Sequence, residues 1–196
     1  MVTMLSADDL GIGILLGFSL TIPPGPMNAL IAARSVHSLR AGTVTGLGAL
    51  SADLILGTII FALRSTIDLA SFVRIIYALG SVVMVVLGVL VLRGRDRSEE
   101  DRTQGLRAYS QSVAIGVTNP FQILWWLTAG LAFAFVGGII LFVGLFGAIA
   151  IWVVGFPWVV HRGTLRYPRL RGLITIVSVS IMFGFAVYFA LLAILI

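Results

Sequence analysis

The stretch "TIPPGPMNAL", from Thr21 to Leu30, interrupts an apolar run that is long enough to cross a membrane. Positions 23–26 hold three prolines and one glycine. Proline lacks the backbone donor that a helix uses, and its ring clashes with the carbonyl group one turn earlier. The sequence therefore predicts a broken helix here. Because lipid cannot hydrogen-bond to freed backbone groups, we expect 23–26 to face protein or a wet cavity.

The composition of the whole chain indicates an all-α integral membrane protein. Of 196 residues, 59% are hydrophobic and 11% are charged, and the mean hydropathy is +1.10. A soluble domain needs a larger polar surface than this composition provides. The short alternating segments of a transmembrane barrel are absent. Since there is no cysteine, disulfides, thiolate metal sites and thiol exchange are excluded.

Six apolar segments are long enough to be transmembrane helices. They lie at 10–33, 42–63, 70–92, 109–133, 136–160 and 173–196. We predict a first three-helix repeat at 1–92, a cytoplasmic Arg-rich loop at 93–108, and a second three-helix repeat at 109–196. Because each repeat has an odd number of spans, the two would lie in opposite orientations, as in the inverted repeats of many transporters.

A second predicted break lies at the start of the second repeat, in "TNPFQILW" from Thr118 to Trp125. Alignment of Pro26 with Pro120 places Asn28 on Gln122, so each proline is followed two residues later by a carboxamide. The second spans also align, with "GALSAD" from Gly48 matching "GAIAIW" from Gly147. The predicted fold therefore has broken first and fourth helices.

The arginines predict the orientation of the chain in the membrane. All but two of the thirteen basic residues fall in the loops between spans 1 and 2, 3 and 4, and 5 and 6. The exceptions are Arg64 and Arg74. The positive-inside rule assigns those three loops to the cytoplasm and both termini to the extracytoplasmic side. The basic charge is thus explained by topology, and we predict no binding to nucleic acid.

The two breaks predict a site for an anionic group near the middle of the membrane. A proline suits the first position of a helix, and the free amides that follow it lie at the positive end of the helix dipole. Two such ends that approach each other from opposite repeats would bind a carboxylate. The candidate substrate-binding residues are Pro24, Gly25, Pro26, Asn28, Asn119, Pro120 and Gln122.

Asp53 is the only carboxylate inside a predicted span. Charged side chains at this depth usually face a cavity or a partner. Because a low-dielectric interior disfavours the charged form of a carboxyl group, Asp53 is our candidate for proton coupling. The alternative is a neutral residue that joins helices by hydrogen bonds. Arg34 either extends to the membrane surface or contacts the substrate. The tryptophans at 125, 126, 152 and 158 are candidates for cavity gates or for interface anchors.

The stretch from Pro23 to Asp53 resembles the opening of the LysE/RhtB amino-acid exporters. The matching residues are Pro24, Gly25, Pro26, Arg40, Ala41, Gly42, Gly48 and Asp53. The stretch "AIGVTNPFQILWWL", Ala114 to Leu127, resembles the segment that opens the second half in that family. This chain has Phe121-Gln122 where a lysine often follows the family's proline.

The resemblance implies a secondary transporter that exports amino acids or related small metabolites by proton antiport. It also implies location in the cytoplasmic membrane and no cofactor. The alternatives are an ion or small-solute channel and a metal-ion exporter of the same superfamily, although one carboxylate is few ligands for a metal. The spans contain no nucleophile–base pair or HExxH motif, so we expect no enzyme activity. A structural membrane subunit and a homodimer stay open.

Overall fold

The computed structural model describes residues 7–63, 73–93, 102–130 and 138–195. These residues are helical apart from short connections, and no strand occurs among them. The helices are α1 (Ala7–Thr21), α2 (Pro26–His37), α3 (Leu39–Leu63), α4 (Val73–Leu92), α5 (Arg102–Thr118), α6 (Pro120–Trp125), α7 (Ile139–Arg166) and α8 (Arg169–Leu195). A π-helical turn, Trp126–Gly130, follows α6 directly.

Three of the described helices, α3, α7 and α8, are long and apolar enough to cross a bilayer. The pair α1 and α2 adds a fourth crossing if it forms one span, and it is bent by 74° at the break. The all-helical membrane class is therefore confirmed. The six-span arrangement stays a prediction, because α4 contributes only the shorter apolar stretch Tyr77–Val89 and 131–137 lie outside the described residues.

Helix α5 begins at Arg102, inside the segment predicted as the Arg-rich loop 93–108. Its first turns are polar, so a search for apolar residues could not detect them. Arginine, glutamine, leucine and alanine nevertheless favour helix. The first, polar part of α5 is thus helical before the helix becomes apolar, and residues 94–101 of the predicted loop lie outside the described residues.

Glycines bring α1 and α7 into backbone contact. A side chain added at Gly13 or Gly17 would collide with the backbone of Leu141 or Leu145, and one at Gly144 with that of Leu10. Small residues at such positions let membrane helices pack closely. The glycine spacing on α1, which is also typical of helix dimers, therefore serves contact within this chain.

Helix α2 lies at the centre of the described structure and packs against α3, α7 and α8. Around it, α1 pairs with α7, α3 with α5, and α4 with α8. One apolar cluster includes Leu56, Trp126 and Leu145, and another includes Met84 and Met182. Polar side chains are buried where α2, α3, α5 and α6 meet, and that region contains both helix breaks.

Candidate substrate site

The break predicted at the three prolines is confirmed. Helix α1 ends at Thr21 and α2 begins at Pro26, which occupies the first helical position. Gly25 precedes it in an extended conformation, with φ −131° and ψ 173°. Glycine has no side chain with which to cap the helix, and no side chain within the described ranges forms such a bond to this end. The amides of Met27 and Asn28 therefore have no acceptor within the helix.

Asn28 supplies the hydrogen bonds that the break removes. Its side-chain nitrogen donates to the carbonyl oxygen of Thr21 and, at 3.0 Å, to that of Pro23. Its side-chain oxygen accepts a 3.1 Å hydrogen bond from the indole nitrogen of Trp152 on α7. The carbonyl groups released by the prolines are thus satisfied by protein, as hydrocarbon surroundings require.

The exposure of 23–26 differs in part from the expectation that these residues are covered. Gly25 and Pro26 are buried and Pro23 is half-buried, whereas Pro24 is exposed on the described surface. Proline has no backbone N–H, so its exposure leaves no donor without a partner. The polar backbone groups of the break lie on the inner side, where Asn28 reaches them.

The second break lies at Asn119, between α5 and α6. Asn119 is buried, and its side-chain oxygen accepts a 3.2 Å hydrogen bond from the backbone nitrogen of Phe121. Pro120 is buried against Gly80 of α4. The two predicted positive helix ends are therefore not equivalent. Helix α6 has only six residues and its start is capped by a side chain, whereas α2 has twelve residues and an uncapped start.

Both breaks border one buried cavity of about 40 Å³. The lining residues from the first break include Pro23, Gly25, Pro26 and Asn28; those from the second are Asn119, Phe121 and Gln122; α3 adds Ala49 and Asp53, and α7 adds Trp152. This volume accommodates a few water molecules, but ligand pockets usually measure about 300–1,000 Å³. The cavity described by the structure is therefore smaller than a usual ligand pocket.

Asp53 is 3% exposed and faces this cavity from α3. Its Oδ1 atom accepts a 2.9 Å hydrogen bond from the indole nitrogen of Trp126. Trp126 begins the π-helical turn and stacks on Phe146 of α7, with 6.0 Å between ring centroids. Of the described residues that line the cavity, Asp53 alone is ionisable. π-Helical turns occur often at functional sites, and this one places the donor that holds Asp53.

Gln122 lies beside Asp53 and is 4% exposed. Its side-chain nitrogen donates to the carbonyl oxygen of Ala49 at 3.4 Å. Its side-chain oxygen is buried and has no donor within the described part of the chain. The site therefore combines one carboxyl group, one buried acceptor that lacks a donor, and one helix start whose amides are free.

Arg34 does not line the cavity but lies further along α2, 6% exposed. Its guanidinium donates to Thr45 Oγ1 on α3 at 2.9 Å, and to the Ala108 carbonyl and Gln111 Oε1 on α5 at 3.4 and 3.3 Å. It is thus buried between helices rather than extended to the membrane surface. In this state Arg34 joins α2 to α3 and α5.

Sequence reasoning did not identify which tryptophans belong to the site. Trp126 and Trp152 hold the two polar side chains Asp53 and Asn28, whereas Trp158 is 50% exposed. The alignment of the two halves contained a signal, because it places Trp152 on Asp53. Asp53 on α3 and Trp152 on α7 thus occupy aligned positions. Asp53 lies beside Gln122, and Trp152 lies beside Asn28.

The chain resembles known proteins over most of its length. The model of the LysE type translocator family matches residues 18–193. YcgF of Bacillus subtilis (strain 168), whose assigned name is that of an amino acid efflux protein, is 30% identical over 190 residues, which cover 88% of this chain and 91% of YcgF. No solved structure gives a significant match. The matched family segment contains both helix breaks and Asp53, and the chain belongs to the LysE type translocator family.

Proposed function

We propose that this protein is a secondary exporter that carries an amino acid or a related small metabolite out of the cytoplasm in exchange for protons. Membership in the LysE type translocator family and the likeness to an efflux protein support export. The observation that carries the proposal is the shared cavity. Two interrupted helices, distant in sequence, border one space in which Asp53 is the single ionisable residue among those that the structure describes.

The helix pairing supports a transporter built from two inverted repeats in the cytoplasmic membrane. Two repeats would make α1 equivalent to α5, α2 to α6, α3 to α7 and α4 to α8. The contact between α1 and α7 then corresponds to the contact between α5 and α3, and both contacts occur. The contact between α4 and α8 corresponds to itself under this equivalence. The contact between α2 and α8 corresponds to the contact between α6 and α4, which also occurs. Such a plan places the substrate between the repeats, where rocking of one repeat against the other opens alternate sides.

The substrate carboxylate binds at the start of α2 in this proposal. The amides of Met27 and Asn28 are free, and the helix dipole adds positive potential. A cap already occupies the start of α6, so Asn119 shapes the cavity and Gln122 contributes a polar group. With one carboxyl group in the cavity lining, a neutral amino acid fits the charge of the site better than a dication.

Asp53 carries the coupled proton in this proposal. Burial favours its neutral form, while the Trp126 indole stabilises its ionised form, so the balance between them responds to small changes in packing. Coupling requires that protonation changes the relative stability of the inward- and outward-facing states. Asp53 lies on a helix of the first half and accepts a hydrogen bond from Trp126 of the second half. In this proposal, protonation of Asp53 changes that bond and therefore the relative stability of the two states.

The test is uptake into inverted membrane vesicles under an imposed pH gradient, screened over the twenty amino acids. We expect accumulation of at least one amino acid that collapses when the gradient is removed, and loss of that accumulation in Asp53→Asn. Asp8→Asn, at an exposed carboxyl group near the start of α1, is the matched control and should accumulate normally. Flux that ignores both the gradient and Asp53→Asn would support a channel and refute antiport.

A further inference from the structure

The side-chain oxygen of Gln122 requires a donor that the described residues do not provide. The orientation of this amide is fixed by its surroundings. Its nitrogen faces two acceptors, the Ala49 carbonyl oxygen at 3.4 Å and the Asp53 carboxyl group. Reversing the amide would place its oxygen against both of these oxygens. The acceptor without a donor is therefore a property of the site.

The equivalent acceptor in the first half has a donor. Asn28, which aligns with Gln122, accepts from the Trp152 indole at 3.1 Å. Trp152 aligns with Asp53. Where the first carboxamide, Asn28, meets an indole donor, the second carboxamide therefore meets a carboxyl group. An ionised carboxyl group only accepts hydrogen bonds. The two halves thus follow one plan, but while Asp53 is ionised the donor is missing from the second.

We propose that the amino group of the transported molecule supplies this donor, so that Gln122 is the residue that selects substrates whose amino group carries an N–H donor. The inference rests on the proposed export function and names a specificity residue within it. A buried acceptor without a donor is unfavourable, so the site gains most from a ligand that carries N–H groups. The ammonium group then also faces Asp53, opposite the free amides at Met27 and Asn28.

Gln122 should therefore discriminate among analogues that share one side chain. The des-amino carboxylic acid lacks the nitrogen altogether. The N-trimethyl betaine keeps the positive charge but has no N–H donor, so it separates hydrogen bonding from attraction to Asp53. A hydrogen bond to a charged group corresponds to roughly 10- to 100-fold in affinity. We expect each analogue to compete more weakly than the amino acid by about that factor.

The experiment uses the full-length protein in inverted vesicles and the amino acid of the twenty that accumulates most. If none accumulates, the proposed function fails and not this inference alone. Competition by the two analogues is measured for the wild type, Gln122→Met and Gln122→Glu. Methionine keeps the length of the side chain without the acceptor, whereas glutamate keeps an acceptor oxygen. We expect Gln122→Met to reduce both discrimination ratios by about tenfold, and Gln122→Glu to retain them.

Two results would overturn the inference. One is a wild-type protein for which the betaine and the des-amino acid compete as well as the amino acid. The other is a folded Gln122→Met variant that discriminates as strongly as the wild type. If Gln122→Met does not fold, as judged by size-exclusion chromatography, the wild-type ratios decide alone, because they require no substitution.

Discussion

Arg34→Met should open the site toward the C-terminal end of α2. Arg34 lies eight residues after Pro26, which is about 12 Å along the helix, and its hydrogen bonds hold α2 against α3 and α5. A substrate that enters from that end must pass this junction. The distribution of arginines predicts that this end is cytoplasmic, so we expect the Arg34 junction to close the cytoplasmic route.

The hydrogen bonds give the magnitude. The bond from Arg34 to Thr45, at 2.9 Å, is well formed and charged, and such bonds contribute about 1.5–3 kcal/mol. The other two, at 3.4 and 3.3 Å, exceed the usual range for N–H···O bonds and contribute about 0.5 kcal/mol each. Their loss lowers the free energy of opening by about 2.5–4 kcal/mol, which corresponds to roughly a 60- to 1,000-fold increase in the open population.

A thiol accessibility assay measures this population directly, since the chain has no native cysteine. Ala49→Cys introduces a thiol at a residue that is 5% exposed and lines the cavity. A charged thiol reagent, added to inverted vesicles, labels it only when the cytoplasmic route opens. Arg34→Met retains the apolar stem that packs between the helices. We expect labelling at least about tenfold faster than in the Arg34 background.

Arg169→Met is the matched control, because it removes an exposed arginine from the same predicted side of the membrane. It should leave the labelling rate unchanged. Equal rates for Arg34→Met and its parent, with equal melting temperatures in detergent, would refute the reasoning. Arg34 would then stabilise the fold without controlling access to the cavity.

Two further substitutions test the local geometry. Gly25→Asn has room, because an added Cβ meets only the Pro23 carbonyl, at 3.9 Å. Asparagine is a preferred cap and should occupy the free amides of α2, so we expect about tenfold weaker competition by the substrate in vesicle uptake. Gly57→Ala places a Cβ 2.7 Å from the Trp126 ring and should lower stability by about 1–3 kcal/mol, with loss of transport. Gly147→Ala, where a Cβ meets nothing within 4 Å, should melt like the wild type.

The sequence predicted the features that depend on local chemistry. Proline at positions 23–26 and at 120 determines where helices stop, because the missing donor acts on the backbone itself. The burial of Asp53 agrees with its position within an apolar run, whereas its depth in the membrane stays a prediction. The alignment of the two halves identified Asn28 and Gln122 as equivalent, and the structure places both at one cavity.

The partners of these residues could not be predicted, because they depend on tertiary packing. Asn28 lies only two residues after Pro26. Its hydrogen bonds to the carbonyl oxygens of Thr21 and Pro23 nevertheless depend on how the chain turns at the break, which the sequence alone does not specify. Trp126 bonds to a carboxyl group 73 residues earlier in the chain. The burial of Arg34 likewise depends on α5. The first turns of α5 are polar, so the distribution of apolar residues did not predict a helix there.

The difference between the two breaks gives the site a direction. At the first break, glycine leaves the helix start open, and Trp152 satisfies the carboxamide oxygen. At the second, asparagine closes the helix start, and the oxygen of Gln122 lacks a donor. The first break thus has free donors and the second a buried acceptor, and residues of both breaks line one cavity. If the transported molecule carries a carboxylate and an ammonium group, as we propose, this arrangement accepts it in only one orientation, and we expect the molecule to keep that orientation throughout transport.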